Sequence, residues 1–246
     1  MDSVQALCVF ISLLSLSWAR SLRNPMENPD LYQGDILELD DATDRNAVVN
    51  KSRIWPGGVI PYKIDPGLNF LKSDIEKAMN HIMEKTCLKF RPWDEEEKGY
   101  IRIFPGFGCY SYWGRTGKVQ PVSLGQGCEP LGTIIHELTH AIGFDHEQNR
   151  SDRDDYLIIY WQNIWPDALD QFDKHKPEAN WLINEFDFDS IMLYGEKTFS
   201  KDGWSHTMRA KKKGIRFVDV IKKGKLSTSD IYRINKLYEC DKRMMR

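Results

Sequence analysis

The sequence predicts an α+β fold, on three observations. Helical periodicity recurs in separate places: Leu131, Ile134, Ile135, Leu138 and Ile142 lie at spacings of three, four and seven, and Ile75, Ala78, Met79, Ile82 and Met83 form a second apolar face. Short strand-like runs, Val59-Ile60-Pro61-Tyr62 and Tyr100–Phe104, stand apart from them. A loop-rich stretch, residues 165–185, precedes a last helical pattern near the C-terminal end. The 246 residues suit one or two domains with a sizeable core. The formal net charge is −2, with no strong basic excess, so nucleic acid is not an indicated partner.

Taken in order, residues 4–18 are mostly apolar but too short and serine-interrupted to span a bilayer. Ser17-Trp18-Ala19 places small residues at −3 and −1, so residues 1–19 are expected to be a signal peptide and the protein to be secreted to the extracellular side. No other stretch is long and apolar enough for a membrane span. Cys8 leaves with the signal peptide, and Cys87, Cys109, Cys128 and Cys240 remain. Four cysteines in a secreted chain imply two disulfides, with three pairings open. Residues 20–45 carry little core pattern and are rich in Asn, Pro and Asp. Within them Tyr32-Gln33-Gly34-Asp35-Ile36 reads, by itself, as an ordinary loop.

Trp55-Pro56-Gly57-Gly58 is a turn before the first strand. Ser73-Asp74-Ile75-Glu76 reads as a capping box opening a helix that runs to Cys87. Phe90 and Tyr100–Phe104 give further strands, separated by the acidic loop Asp94–Glu97, read as solvated. Arg150-Ser151-Asp152-Arg153-Asp154-Asp155-Tyr156 alternates charge and suggests an ion-paired connection. Ser190-Ile191-Met192-Leu193-Tyr194-Gly195 is, alone, a strand end or turn. Leu226-Ser227-Thr228-Ser229-Asp230 is an N-cap pattern, after which Ile231, Ile234 and Tyr238 continue a helix to Cys240. Lys211-Lys212-Lys213 and Lys222-Lys223 read as solvated surface. His81, His175 and His206 lack metal spacing and read as structural or surface residues. Asn50-Lys51-Ser52 and Asn149-Arg150-Ser151 are sequons; Asn50 is the one expected to carry a glycan.

Chemistry concentrates in His136-Glu137-Leu138-Thr139-His140-Ala141-Ile142-Gly143-Phe144-Asp145-His146-Glu147. Two His at i and i+4 share one helix face and can grip one metal ion. Gly143 can take the left-handed conformation that ends a helix, so the chain turns back and His146 supplies a third nitrogen. Three protein ligands with a position left for water is the arrangement of a catalytic zinc. Glu137, between the two His, is placed to act as general base toward a zinc-activated water.

HExxHxxGFxHE, followed by Arg150, Asp152-Arg153-Asp154 and Tyr156, resembles the astacin family of zinc metalloendopeptidases, within the metzincin clan. The resemblance also takes in Trp55–Tyr62, Tyr160–Ile164 and the Met-turn Ser190–Gly195, and so covers essentially the whole chain. It implies a zincin-like protease fold: a twisted mixed sheet with two long helices above the cleft and an irregular lower subdomain. It implies one zinc ion per catalytic domain, held by His136, His140 and His146, with Glu137 and Tyr194 catalytic. Tyr194 is also a possible resting-state ligand, and Met192 an apolar base under the metal. It makes residues 20–45 an inhibitory pro-segment whose Asp35 binds zinc in the proenzyme only. A trypsin-like protease would cleave Arg45–Asn46, leaving residues 46–246 as the protease domain, and the new amino group of Asn46 would meet Glu147. The implied disulfides are Cys87–Cys240 and Cys109–Cys128. A protein or peptide substrate would bind along an edge strand near Cys109–Ser111. The competing reading is a catalytically silent secreted zinc-binding protein acting through protein–protein interaction; the presence of Glu137 and Tyr194 argues against it.

Overall fold

The computed structural model describes residues 24–37 and 51–244. The expectations for residues 1–19, the Arg45–Asn46 bond, Asn46 and Asn50 fall outside them. Six strands form one mixed sheet: β1 (Ile36–Leu37), β2 (Val59–Ile64), β3 (Lys89–Pro92), β4 (Ile101–Phe104), β5 (Cys109–Tyr112) and β6 (Gln120–Leu124), in the order β1-β5-β6-β4-β2-β3. All pairings are parallel except β5 with β6. Ile60, Ile101, Ile103 and Val122 are fully buried on one face of the sheet, while Lys63 and Arg102 on the other face are exposed, the alternation of a sheet covered on one side.

Two helices close this half, α1 (Lys72–Lys85) and α2 (Leu131–Ala141), and they pack on one another. The apolar face of α1 is as expected, with Ile75, Ala78, Met79 and Ile82 buried. Its start is not. The capping box at Ser73 does not form: the helix opens at Lys72, preceded by Leu71, which makes no side-chain cap. The cause is the 3₁₀ turn Pro66–Leu71, which already winds the chain and passes it directly into the helix; Lys72 N–H donates back to Asn69 O.

From Ile142 onward regular structure is sparse: short 3₁₀ turns and one antiparallel ribbon, β7 (Leu157–Ile159) with β8 (Met208–Ala210). Order returns at α3 (Thr228–Leu237), where Ser227 and Asp230 make the expected reciprocal cap, and at α4 (Cys240–Met244). Cys87–Cys240 ties α4 to the end of α1 across a sequence separation of 153, worth roughly 5 kcal/mol on the chain-entropy model. Cys109–Cys128 joins β5 to the approach to α2. No helix among the described residues is long and apolar enough to cross a membrane.

Candidate metal centre

Helix α2 is buried on every side, from Gly132 to Ala141. Gly132 makes this possible: a Cβ there would lie 2.2 Å from both Val220 O and Lys223 O. The helix ends as read, with Gly143 at φ +109° donating to His140 O at 2.8 Å. Its last carbonyls are satisfied from three distant places: Gly114 N–H donates to His140 O (2.9 Å), Trp55 Nε1–H to Ala141 O (2.9 Å) and the Tyr238 hydroxyl to Ile142 O (2.8 Å).

His136, His140, His146 and Asp35 converge, all buried, with ligand atoms within 4.8 Å of one another. Each imidazole Nδ1 faces an oxygen that can only accept: Ile191 O for His136 (2.8 Å), Phe144 O for His140 (2.7 Å) and Gln33 Oε1 for His146 (2.9 Å). The proton of each neutral ring therefore sits on Nδ1. Three Nε2 lone pairs then point inward, 3.0, 3.1 and 3.2 Å apart. The Asp35 carboxylate oxygens lie 3.1 to 3.3 Å from them. Lone pairs so close repel unless a cation joins them. A tetrahedral zinc with bonds of about 2.0–2.1 Å has edges of about 3.3 Å, so this donor set fits that ion.

The carboxylate of Glu137 is fully buried, and neither of its oxygens has a hydrogen-bond partner among the described residues. Burial holds this carboxyl well above the usual range, with the Asp35 charge adding to it. Burial also pushes the Asp35 carboxyl up, but the imidazoles gathered around it, His146 and His140 foremost, outweigh this and hold the group well below that range. Tyr194 donates its hydroxyl to Asp35 Oδ2 and stands 3.1 Å from Met26 O. Its pKa lies well above that of a free phenol, through burial and then the Asp35 charge.

Behind the three imidazoles, Ser190–Leu193 is braced by residues to which the sequence reading gave other roles. Asp230 accepts from Ser190 Oγ (2.6 Å) and Ile191 N–H (2.8 Å). Lys223 Nζ donates to Ser190 O and Leu193 O, each at 2.6 Å. Lys223 is thus no solvated surface charge: the carbonyls of this turn capture it, and burial lowers its pKa to about 8. Met192 is buried, and its carbonyl accepts Glu147 N–H at 3.0 Å. Glu147 is already paired, with Arg233 (2.5 and 2.9 Å) and Arg150 (3.1 Å). Nothing in the local sequence around Arg233 marks it as that partner, since it lies on α3, 86 residues away.

The other expectations sort cleanly. Arg150 pairs with Asp152 and Arg153 with Asp154, as the alternation suggested. His175 contacts Asp145, His206 pairs with Glu196 at 3.1 Å, and His81 accepts Leu226 N–H at 2.9 Å. Asn149 is buried, its amide donating to Gln171 O and Asp173 O, so that sequon offers no free acceptor. On the outer side of β5 lies β1, pairing Ile36 with Ser111 and Leu37 with Tyr112 in parallel register.

A sequence model of the astacin family of peptidases matches residues 47–239. The chain is 46% identical over 216 residues to astacin-like metalloprotease toxin 1 of Loxosceles intermedia, covering 85% of this chain and 81% of that protein. It is 42% identical over 219 residues to zinc metalloproteinase nas-4 of Caenorhabditis elegans, covering 85% and 69%. Among solved structures it resembles high choriolytic enzyme 1, a hatching enzyme zinc-protease of Oryzias latipes, with a TM-score of 0.70 and 34% identity, covering 84% of this chain and all of that one. Myroilysin, at 18% identity and a TM-score of 0.54, shares the fold.

Proposed function

The chain belongs to the astacin family of zinc metalloendopeptidases, and from that premise we propose that it is a secreted proenzyme, silenced by Asp35 until residues 20–45 are removed. It is a zinc-dependent endopeptidase that takes one zinc ion per catalytic domain. The observation that carries the proenzyme reading is the Asp35 carboxylate. It lies against all three imidazoles and also takes the hydroxyl of Tyr194.

His136, His140 and His146 would hold the zinc, and Asp35 would add a fourth carboxylate donor that closes the site. When bound, zinc supplies Lewis-acid polarisation of the scissile carbonyl and lowers the pKa of water toward about 7. Glu137, one residue from His136 and with no other partner among the described residues, takes the proton of the attacking water and passes it to the leaving amine. Tyr194, whose hydroxyl already reaches an anionic oxygen at the ligand cluster, donates to the oxyanion once Asp35 has left. Removal of β1 uncovers the outer edge of β5, and substrate backbone pairs there, near Cys109–Ser111. The charge pairs around Glu147 hold the turn that carries His146. Cleavage at Arg45–Asn46 suits a trypsin-like activating protease, and relatives named as toxins and as a hatching enzyme agree with an extracellular place of action.

The test is peptide hydrolysis by the uncleaved chain, by the trypsin-treated chain and by uncleaved Asp35→Ala. Activity is expected only after trimming to Asn46 in the wild type, and without trimming in the variant. A variant that stays silent would mean that the pro-segment blocks by bulk and not through its carboxylate.

A further inference from the structure

The three zinc-binding imidazoles are not supported alike. His136 and His140 donate their Nδ1–H to backbone carbonyls, Ile191 O and Phe144 O, which belong to the protease domain itself. His146 donates to a side chain of the pro-segment, Gln33 Oε1 at 2.9 Å. The contact is built. Gln33 is buried and held at φ +52°, a conformation in which few non-glycine residues sit. Its Oε1 is the atom that faces His146 Nδ1, and its amide nitrogen lies 3.4 Å from His175 Nε2. Gly34, at φ +96° with Met26 O where a Cβ would be 2.8 Å away, forces the tight turn that aims Gln33 and Asp35 into the same site.

Among the described residues, Gln33 Oε1 is the hydrogen-bond acceptor that His146 Nδ1 has. The Asp145 carboxylate has its Oδ1 4.0 Å from His146 Nδ1, and that oxygen already takes His146 N–H at 2.6 Å. Its Oδ2 contacts His175. A metal-binding His whose distal N–H lacks a partner loses orientation and basicity, typically 10–100-fold in metal affinity.

We propose that Gln33 is a positioning residue for the zinc ligand His146, so that the segment which blocks the site also fixes its third imidazole. This rests on the proenzyme reading. Removing residues 20–45 then takes away a ligand and, separately, the support of another. The uncleaved chain is the form that captures and retains zinc, and the trimmed enzyme holds it by two well-braced imidazoles and one that must find a new partner.

The experiment uses the full uncleaved, zinc-loaded chain and follows zinc release to excess chelator with a colorimetric indicator. In parallel, the downfield imidazole N–H protons are counted by NMR. Gln33→Leu is expected to release zinc roughly 10–100-fold faster than wild type and to lose one of three N–H signals, while staying latent because Asp35 remains. Gln33→Glu, which keeps an acceptor, is expected to restore retention. Wild-type release and all three signals in latent Gln33→Leu would overturn the proposal. Should leucine undock the segment, seen as lost latency, Gln33→Glu carries the test: retention at wild-type level or better supports the bond, and release tenfold faster or more overturns it. Asp35→Ala, assayed for basal hydrolysis, reports separately on the proenzyme reading.

Discussion

Helix α2 and the 24–37 segment both deliver side chains to one candidate metal site, and they are held in place by different physics. The helix is embedded: Ile134, Ile135 and Leu138 are buried, each worth about 1.5–3 kcal/mol. Gly132 lets two backbone carbonyls of residues 220 and 223 press directly on it. The segment has two well-buried apolar anchors, Met26 and Ile36, with Tyr32 partly buried against the core, and several polar contacts: Asp35 to the imidazoles and Tyr194, Gln33 to His146, Glu27 to Phe199 N–H. Polar contacts of this kind exchange readily for water, whereas a buried helix cannot leave without unfolding the domain. The difference teaches that permanence and removability at one site are set by apolar burial, not by the number of ligands each side contributes.

Substitutions on the two sides should separate these roles. The largest effect belongs to the helix: Glu137→Ala in the trimmed enzyme is expected to keep its zinc and lose roughly 10²–10⁴-fold or more in kcat. Zinc content and kcat on the same sample check this, and near-wild-type turnover would remove Glu137 as the base. Next comes packing. Gly132→Ala must push a Cβ against Val220 O and Lys223 O, backbone atoms that cannot rotate away. A cost of about 1–3 kcal/mol is expected, read as a thermal midpoint lowered by several degrees. An unchanged midpoint would show that the 220–223 turn yields easily and that α2 is less embedded than its burial implies.

The smallest effect lies on the segment and depends on pH. Burial pushes the Glu27 carboxyl up to about 7. A docked-state pKa above the free value near 4.5 means that docking gains fully below pH 4.5 and loses that gain as pH rises through 7. The 24–37 amides should therefore exchange faster at pH 8 than at pH 6, beyond the intrinsic chemical trend. Glu27→Gln should flatten that difference; an equally steep profile in the variant would assign it to another group.

How much of this was legible varies by residue. His136, Glu137 and His140 announce themselves because helical spacing is a local rule, and Gly143 because only its backbone freedom suits the turn. Ser227 capped its helix as read, since a cap involves four neighbouring residues. The same rule failed at Ser73, where the preceding 3₁₀ turn reached the helix first. Lys223 and Lys222 look alike in the chain, and only Lys223 is drawn in. The chain text does not distinguish them because the carbonyls that capture Lys223 come from a turn some thirty residues away.

By itself, the sequence determined the chemistry of the site: two imidazoles on one helix face, a glycine stop, a third imidazole, a carboxylate between them, and strands and helices enough for an α+β domain. Those follow from neighbours along the chain, where spacing is geometry. Only the tertiary structure decided how the site is supported. It chose Arg233 for Glu147, Asp230 and Lys223 for the Ser190–Leu193 turn, and Gln33 for His146. Such partners are selected by the burial of a polar group that must then find its complement wherever the fold brings one, and distance along the chain places no limit on where that is.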